Sequence, residues 1–459
     1  MEVQNPENWP LATKWTVTGV MCVVTVAMYT GSAFWSVCID DAVKRFDISE
    51  TVAQLGTSLF VVGFGLGPMV WSPLSEMPSV GRLKVYLWTA VIFIACQLPI
   101  PLSDNIAVIL VCRFLTGFFC SPVLAVGGGT VADMFGPATI GYPMACWELA
   151  TWGGSAVGPT FAGFTFDRFG YKGPMWELVF LGVLGLMLII CLIPETLPAT
   201  ILHHRAQRLR RGHPHKTFVT YSELQEDRTS LFATMRGLLV KALALNFHEP
   251  IVFVLNLYVA LVFAIFFGML ESYPYVFKQE PYNFNTGQVG LVFLGIFAGG
   301  FVSMIAYFIF LWKHQDHCFD ENGNITPEER LLPAIPSGLF VPLGLFWYGW
   351  TTHIHWIMPT LGGFFFGIGM FTIFMSMLSY LPDAYPSYAA TVIAGNCLMR
   401  AGLAAAFPLF IIPYYELLGP GVTSSILGGL GVLFMPWPLY LFYRGHQLRM
   451  RSREARKDI

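Results

Sequence analysis

Three ionisable side chains interrupt long apolar stretches of the sequence, where a charge is costly. Arg113 and Arg400 lie near the middle of two such stretches, and Glu148 lies in a third. An Arg in hydrocarbon costs on the order of 2.5–3.5 kcal/mol on insertion scales, so both should face a polar interior. Glu148 lies roughly 13 Å inside its stretch, where loss of water penalises the charged form and favours a role as proton carrier. A clamp between helices for Arg113 and a hydrogen-bonded structural acid for Glu148 are the alternatives.

A second group of charges follows the second apolar stretch. Glu76, Gly81 and Arg82 lie in the loop after it, and Asp133 ends the fourth stretch. A carboxylate in this loop can meet the positive N-terminal end of another helix, while Arg82 can pair with an acid on a third. A pair that forms in one conformation and breaks in another would act as a gate. An ordinary charged loop is the alternative.

The fifth apolar stretch carries small residues along one side of the predicted helix. A proline among them removes one backbone hydrogen bond and permits a bend, and the glycines permit close contact with a neighbouring helix. Close packing and a hinge together could seal one side of a cavity. A generic packing face is the alternative. The residues are Gly154, Gly158, Pro159 and Gly163.

The whole chain has the composition of a protein that lies in a bilayer. Its 459 residues are 55% hydrophobic and 12% charged, with a mean hydropathy of +0.59, whereas soluble domains carry roughly 25% charged residues. A spanning helix needs about 20 mainly apolar residues. Twelve stretches qualify: Trp15–Cys38, Val52–Trp71, Val85–Leu102, Ile106–Val131, Ile140–Phe164 and Met175–Ile193, then Pro250–Tyr273, Val289–Leu311, Leu331–Trp350, Trp356–Leu381, Ala389–Tyr414 and Val422–Phe442.

The sequence therefore predicts an all-α membrane protein of twelve transmembrane helices in two six-helix pseudo-repeats. The predicted parts are an N-terminal tail (1–14), a first half (15–193), a polar linker (194–248), a second half (249–443) and a basic tail (444–459). Lys and Arg concentrate in the linker, the C-terminal tail and the loops on the same side, which places both termini in the cytoplasm. The other side collects only Lys44, Arg45, Arg168, Lys172 and Lys278.

Several classes of function lack support in the sequence. There is no Gly-rich phosphate loop with Lys, and no catalytic Ser–His–Asp arrangement can be argued, so we expect neither ATP-driven pumping nor an enzyme. A net charge of -2 gives no indication of nucleic-acid binding. The run from His314 to Cys318 contains possible metal ligands, but a solvated loop is the simpler interpretation and we predict no metal site. We expect no cofactor other than the proton gradient.

The motifs above resemble those of the major facilitator superfamily. The segment from Gly65 to Arg82 is similar to the family's cytoplasmic loop motif, with four residues instead of two between Glu76 and Gly81. The fifth stretch resembles the family's antiporter motif. Together with the polar N-terminal segment and the second-half residues around Arg400, these features resemble the fungal twelve-span drug:proton antiporter family, in its branch of multidrug and polyamine exporters.

This resemblance implies roles for individual residues. Arg113 matches the arginine implicated in proton coupling, and Asp133 matches the acid expected to pair with Arg82. The expected function is proton-coupled export of small amphipathic or cationic molecules by alternating access, from a monomer in the plasma membrane. A proton-coupled importer of a nutrient and a non-transporting receptor are the alternatives. Candidate cavity residues are Tyr29, Trp35, Trp152, Asn256, Tyr258, Phe266, Phe374 and Asn396.

Overall fold

The structure is a computed structural model that describes residues 5–213, 218–220, 231–320, 325–452 and 454–457. Within these ranges the ordered elements are all helical. Ten helical segments among the described residues are long and apolar enough to cross a membrane. The predicted parts of the tails and linker at residues 1–4, 214–217, 221–230, 453 and 458–459 lie outside the described residues.

The first half contains six spans. Five belong to the ten long apolar segments: Leu11–Phe46, Glu50–Glu76, Gly81–Leu102, Ile106–Met134 and Lys172–Leu192. The fifth span in chain order, Gly141–Phe169, is a 29-residue helix that packs against the first and sixth spans. It is less apolar than the others because it carries Glu148 and a run of small residues, most of which are buried.

The second half repeats this arrangement. Four segments come first, Pro250–Lys278, Thr286–His317, Pro327–Trp350 and Ile357–Ala384, and a segment from Ala389 to Arg451 follows. That last segment is two spans: Gly419 has φ 76° and ψ 164°, which breaks the helix, and Pro436–Arg451 continues the second part after a further break. In the described part of the linker, the helices Pro198–Gly212 and Leu231–His248 connect the halves.

The observed spans extend beyond most of the predicted stretches by one or two turns. The first span continues to Phe46 through Asp40, Asp41 and Lys44, which hydropathy alone excludes. Helices continue past the hydrocarbon layer because polar side chains at their ends reach water. All-helical architecture in two sets of six spans is therefore confirmed, while the span limits are approximate.

The two ends of the bundle carry different residues. One end, here named the termini face, carries the turn Pro6–Asn8 beside Gly127–Met134, and the pair Arg449–Glu328. The other end, the opposite face, carries the pairs Arg45–Asp104 and Lys278–Asp40. The Lys278–Asp40 pair, with Nζ to Oδ2 at 2.9 Å, joins the seventh span to the first and so links the two halves.

The halves meet along two pairs of spans. The second span packs against the eleventh, and the fifth against the eighth. On the opposite face, Asp167 accepts a hydrogen bond from the Gly287 amide at 2.9 Å, and Thr160 donates to the Gly290 carbonyl at 2.8 Å. Backbone groups of one half thus bond to side chains of the other. Both contacts hold this face closed in the observed conformation.

Gly163 should be intolerant of a side chain, because a Cβ built there lies 2.5 Å from the Thr286 carbonyl oxygen. We expect Gly163→Ala to lower the free energy of unfolding by about 1–3 kcal/mol through overpacking. Thermal unfolding of the purified protein measures this effect. Gly429→Ala is the matched control, because nothing lies within 4 Å of its built Cβ. Equal stability of Gly163→Ala and the control would contradict the packing of the fifth span on the eighth.

Candidate functional site between the two halves

Glu148 and Arg400 approach each other at the interface of the halves. Glu148, on the fifth span, is 4% exposed, and Arg400, on the eleventh span, is 3% exposed. The two groups lie within electrostatic range, but they form no direct ion pair: Glu148 Oε1 accepts no hydrogen bond from any described residue. Arg400 Nη2 contacts the Cys397 sulfur at 3.7 Å instead. A carboxylate and a guanidinium therefore face the same buried region with unused hydrogen-bonding capacity.

Aromatic rings surround this pair. The Arg400 guanidinium lies over Phe263 at 4.9 Å and over Phe374 at 5.5 Å from the ring centroids. Ring faces carry negative charge density, so they stabilise a cation that lacks a carboxylate partner. Trp152 meets Phe266 edge to face at 6.2 Å across the interface. We name this set the central cluster: Tyr29, Glu148, Trp152, Phe263, Phe266, Phe374 and Arg400.

Arg113 lies outside the central cluster and holds three spans of the first half together. Its Nε donates to the Gly56 carbonyl at 3.1 Å, and its Nη2 donates to the Gly31 carbonyl at 2.8 Å. The guanidinium also lies 4.9 Å from the Phe60 ring centroid, while Nη1 has no partner among the described residues. Five donors in a rigid fork suit such a bridge between backbone carbonyls. This geometry matches the clamp alternative and leaves one donor unused.

Three of the candidate cavity residues form hydrogen bonds to neighbouring helices in the observed conformation. Trp35 donates its indole N–H to the Ala53 carbonyl at 2.7 Å and packs inside the first half. Asn396 donates to Asn256 at 2.9 Å, and Asn256 donates to Asn246 of the connecting helix. Buried amides require such partners. These side chains fasten helices together in the observed conformation, and their role in a cavity stays a prediction.

The remaining candidates have mixed placements. Tyr258 stacks on Phe434 at 5.7 Å inside the second half, so it also belongs to that half's own packing. Tyr29 packs against Phe64 with the rings tilted and their centroids 5.1 Å apart, and it interacts electrostatically with Arg400. In the fifth span, Gly154 and Gly158 pack on the first span and Gly163 on the eighth. Pro159 contacts Gly290, so the predicted motif forms part of the surface between the halves.

The predicted gate residues lie at the termini face. Arg82 forms a two-bond fork with Asp133, with Nε to Oδ2 at 2.5 Å and Nη2 to Oδ1 at 3.2 Å. Thr196 donates to the same carboxylate at 3.2 Å. Glu76 is exposed and lies within electrostatic range of Arg82. The pair joins the third and fourth spans, and Thr196 ties it to the segment after the sixth span.

Glu195, which the sequence does not single out, takes the place expected for Glu76. Its carboxylate accepts from the backbone amides of Arg82 and Leu83, both at 3.1 Å. Gly81 permits this approach because its φ is 79°, and a Cβ there would collide with Glu195. Negative charge at a helix N-terminus is stabilising. A charge so distant in sequence gives no local signal.

Glu271 is a second buried acid that the sequence reasoning overlooked. It lies seven residues before the end of the seventh span, is 4% exposed, and has an Oε1 without a hydrogen-bond partner among the described residues. It faces Thr57 of the second span and is within electrostatic range of Asp40. The signal was available, since a lone Glu in an apolar stretch is the same feature that identified Glu148.

This chain belongs to the Major Facilitator Superfamily, whose family model matches residues 20–408. It is a multi-pass membrane transporter and not an enzyme. It is 37% identical to "Transporter mfs1" of Schizosaccharomyces pombe, over 98% of this chain and 86% of the relative. It is 34% identical to "Multidrug transporter FLR2" of Candida glabrata, over 98% and 77%. It is 33% identical to "Fluconazole resistance protein 1" of Saccharomyces cerevisiae, over 98% and 82%.

Solved structures show the same fold. The proton:xylose symporter XylE matches with a TM-score of 0.65 at 16% identity, covering 95% of this chain and 96% of its own. The peptide transporter POT matches with a TM-score of 0.67 at 12% identity, covering 96% of each chain. Identities this low establish the architecture alone.

The Arg82–Asp133 pair should be energetically coupled. A double-mutant cycle with Arg82→Gln and Asp133→Asn is expected to give a coupling energy of about 1–3 kcal/mol, because the pair is shielded from water and forms two bonds. Thermal or denaturant unfolding supplies the four stabilities. The Arg45–Asp104 pair is the matched control: Asp104 is exposed, and the same cycle there should give a much smaller value. Equal coupling in the two cycles would contradict a special role for the buried pair.

Proposed function

We propose that this protein exports small amphipathic or cationic molecules, such as drugs, secondary metabolites or polyamines, in exchange for protons. The observation that carries the proposal is the Glu148 carboxylate, which is buried between the halves without a direct ion pair. Burying a charged carboxylate costs several kcal/mol unless it is paired, and protonation removes that cost. Such a group changes the energy of a closed interface when it gains or loses a proton.

Alternating access follows from the position of this acid. The halves rock about a site near the bilayer midplane in transporters built from two repeats. In the observed conformation the central cluster is closed off, with Trp152, Phe266 and Phe374 each 0% exposed. Deprotonation of Glu148 penalises this closed arrangement and favours one in which water or a cationic cargo reaches the carboxylate. Cargo and proton therefore compete for the same buried charge.

Glu271 offers a second proton-binding group near the opposite face. Glu148 lies seven residues, roughly 10 Å, from the termini-face end of its span, and Glu271 lies about as far from the opposite end of its own. Each acid belongs to a different half and faces the other half. A proton could therefore be exchanged from either end of the interface.

The cargo class rests on the relatives and on the chemistry of the cluster. The relatives named above include a multidrug transporter and a fluconazole resistance protein, and "Efflux pump FUB11" of Gibberella moniliformis is 34% identical. Aromatic rings beside one acid suit flat, apolar molecules that carry a positive charge. We propose the plasma membrane as the location, with both termini in the cytoplasm, in accordance with the concentration of Lys and Arg on that side.

A growth-inhibition panel tests the cargo class. A strain that lacks its own exporters is grown with and without this protein against azoles, cycloheximide, cationic dyes and polyamines. Protection against at least one amphipathic or cationic compound, with lower accumulation of that compound in the cells, supports export. Greater sensitivity together with higher accumulation would indicate import and overturn the proposal.

Glu148→Gln should abolish the response of transport to a pH gradient, because an amide in the same position cannot bind or release a proton. Cargo flux in vesicles with an imposed pH gradient measures this response. Glu177→Gln is the matched control: Glu177, on the sixth span, accepts a hydrogen bond from Thr165 of the fifth span at 2.7 Å, so this bond lies within the first half. A full pH response in Glu148→Gln would disqualify Glu148 as the carrier.

Arg113→Ala should abolish export, which corresponds to a fall of at least about tenfold in export rate. Delivery of the protein to the membrane should be retained. The substitution removes the bonds to the Gly31 and Gly56 carbonyls that set the position of the first and second spans. Export assays are paired with surface quantification and thermal unfolding. Arg113→Lys keeps the charge but lacks the fork, so export should remain impaired. Unchanged efflux in Arg113→Ala would remove this residue from the mechanism.

A further inference from the structure

Three metal-binding side chains converge at the termini-face end of the eighth span. His314 Nε2 lies 3.1 Å from Glu329 Oε2 and 3.9 Å from Cys318 Sγ, and all three donor atoms lie within 4.8 Å of one another. The sequence alone favours a solvated loop, although the run from His314 to Cys318 contains possible metal ligands. The fold adds Glu329 from the turn that begins the ninth span.

We propose that His314, Cys318 and Glu329 form a binding site for a divalent transition metal of the zinc class. Tetrahedral zinc with bonds of about 2.0–2.3 Å places its donors about 3.3–3.6 Å apart, so the three side chains need only small adjustments. A thiolate with an imidazole selects zinc or cobalt over magnesium or calcium. Three protein ligands leave the fourth position to water. This proposal does not depend on the proposed transport function.

Ion pairs hold one side of the site rigid. Arg330 pairs with Asp383 at 2.9 Å, and Arg449 pairs with Glu328 at 2.8 Å. These pairs flank Glu329 in sequence and fix the turn Pro327–Leu331 to the second half. A ligand held on a fixed turn loses little conformational entropy when the metal binds. His314 and Cys318 come from the end of the eighth span and the turn Gln315–His317.

The site also adjoins a contact between the halves. Asp316, in the turn between His314 and Cys318, accepts a hydrogen bond from the Tyr142 hydroxyl of the fifth span at 2.8 Å. A metal that fixes this turn to Pro327–Leu331 would hold Asp316 in position for Tyr142. Metal binding should therefore stabilise the contact of the two halves at the termini face.

Cobalt titration of the full-length protein tests the site directly. The protein is purified without a polyhistidine tag, fully reduced, in detergent or lipid nanodiscs. We expect the charge-transfer absorption of a cobalt–thiolate bond, saturating at one equivalent and removed by zinc. Cys318→Ser should abolish the absorption, and His314→Ala and Glu329→Gln should each weaken binding by at least about tenfold.

Matched controls separate this site from adventitious binding. Cys191→Ser removes an exposed thiol elsewhere, and His317→Ala removes a neighbouring exposed imidazole; both should bind cobalt as the parent protein does. No thiolate absorption in the parent protein, or unchanged absorption in Cys318→Ser, would overturn the site. The site would also be overturned if His314→Ala and Glu329→Gln bound cobalt with the same affinity as the parent protein.

Thermal unfolding tests the link to the other half. Zinc should raise the unfolding temperature of the parent protein and leave that of Cys318→Ser unchanged, since only a ligand bound to the folded state stabilises it. Tyr142→Phe should keep cobalt binding but show a smaller rise with zinc. An equal rise in Tyr142→Phe would refute the link while the cobalt absorption still reports the site.

Discussion

Buried charge without a direct ion-pair partner is the constraint on which this structure depends. Glu148, Glu271, Arg113 and Arg400 all lie inside the bundle, and described protein atoms surround each of them almost completely. Each charge costs free energy in this position, and carbonyls, a sulfur or aromatic rings compensate for only part of it. The closed arrangement is thus sensitive to the protonation of two carboxylates. A conformational equilibrium that responds to protons requires that sensitivity.

The contacts that close the two faces are of different kinds. On the opposite face, backbone groups of the eighth span bond to Thr160 and Asp167, and small residues bring the helices together. On the termini face, side-chain pairs dominate, among them Arg82–Asp133 within one half and Tyr142–Asp316 between halves. Side-chain pairs can exchange partners with little movement of the backbone. Closure by backbone packing instead requires whole spans to separate.

Hydropathy predicts the number of spans and their pairing into halves, because the length of an apolar stretch directly reflects the thickness of the bilayer. It also indicates Glu148, Arg113 and Arg400, since a charge in such a stretch is visible without any structure. Glu271 has the same signal. Glu195 and Glu329 have none, because their partners lie 113 and 15 residues away in sequence and only the fold brings them together. Trp35 and Asn256 show a further limit, since composition cannot distinguish a cavity wall from a helix contact.

The direct test is whether cargo movement itself moves protons. Purified protein is reconstituted in liposomes that contain a pH indicator, with no imposed pH gradient, and a cationic cargo is added on one side. Proton exchange predicts that protons leave the liposomes as cargo enters, so that the internal pH rises. This rise should be present in the unaltered protein and absent in Glu148→Gln. Cargo entry with no change of internal pH in the unaltered protein would contradict proton exchange at the buried interface.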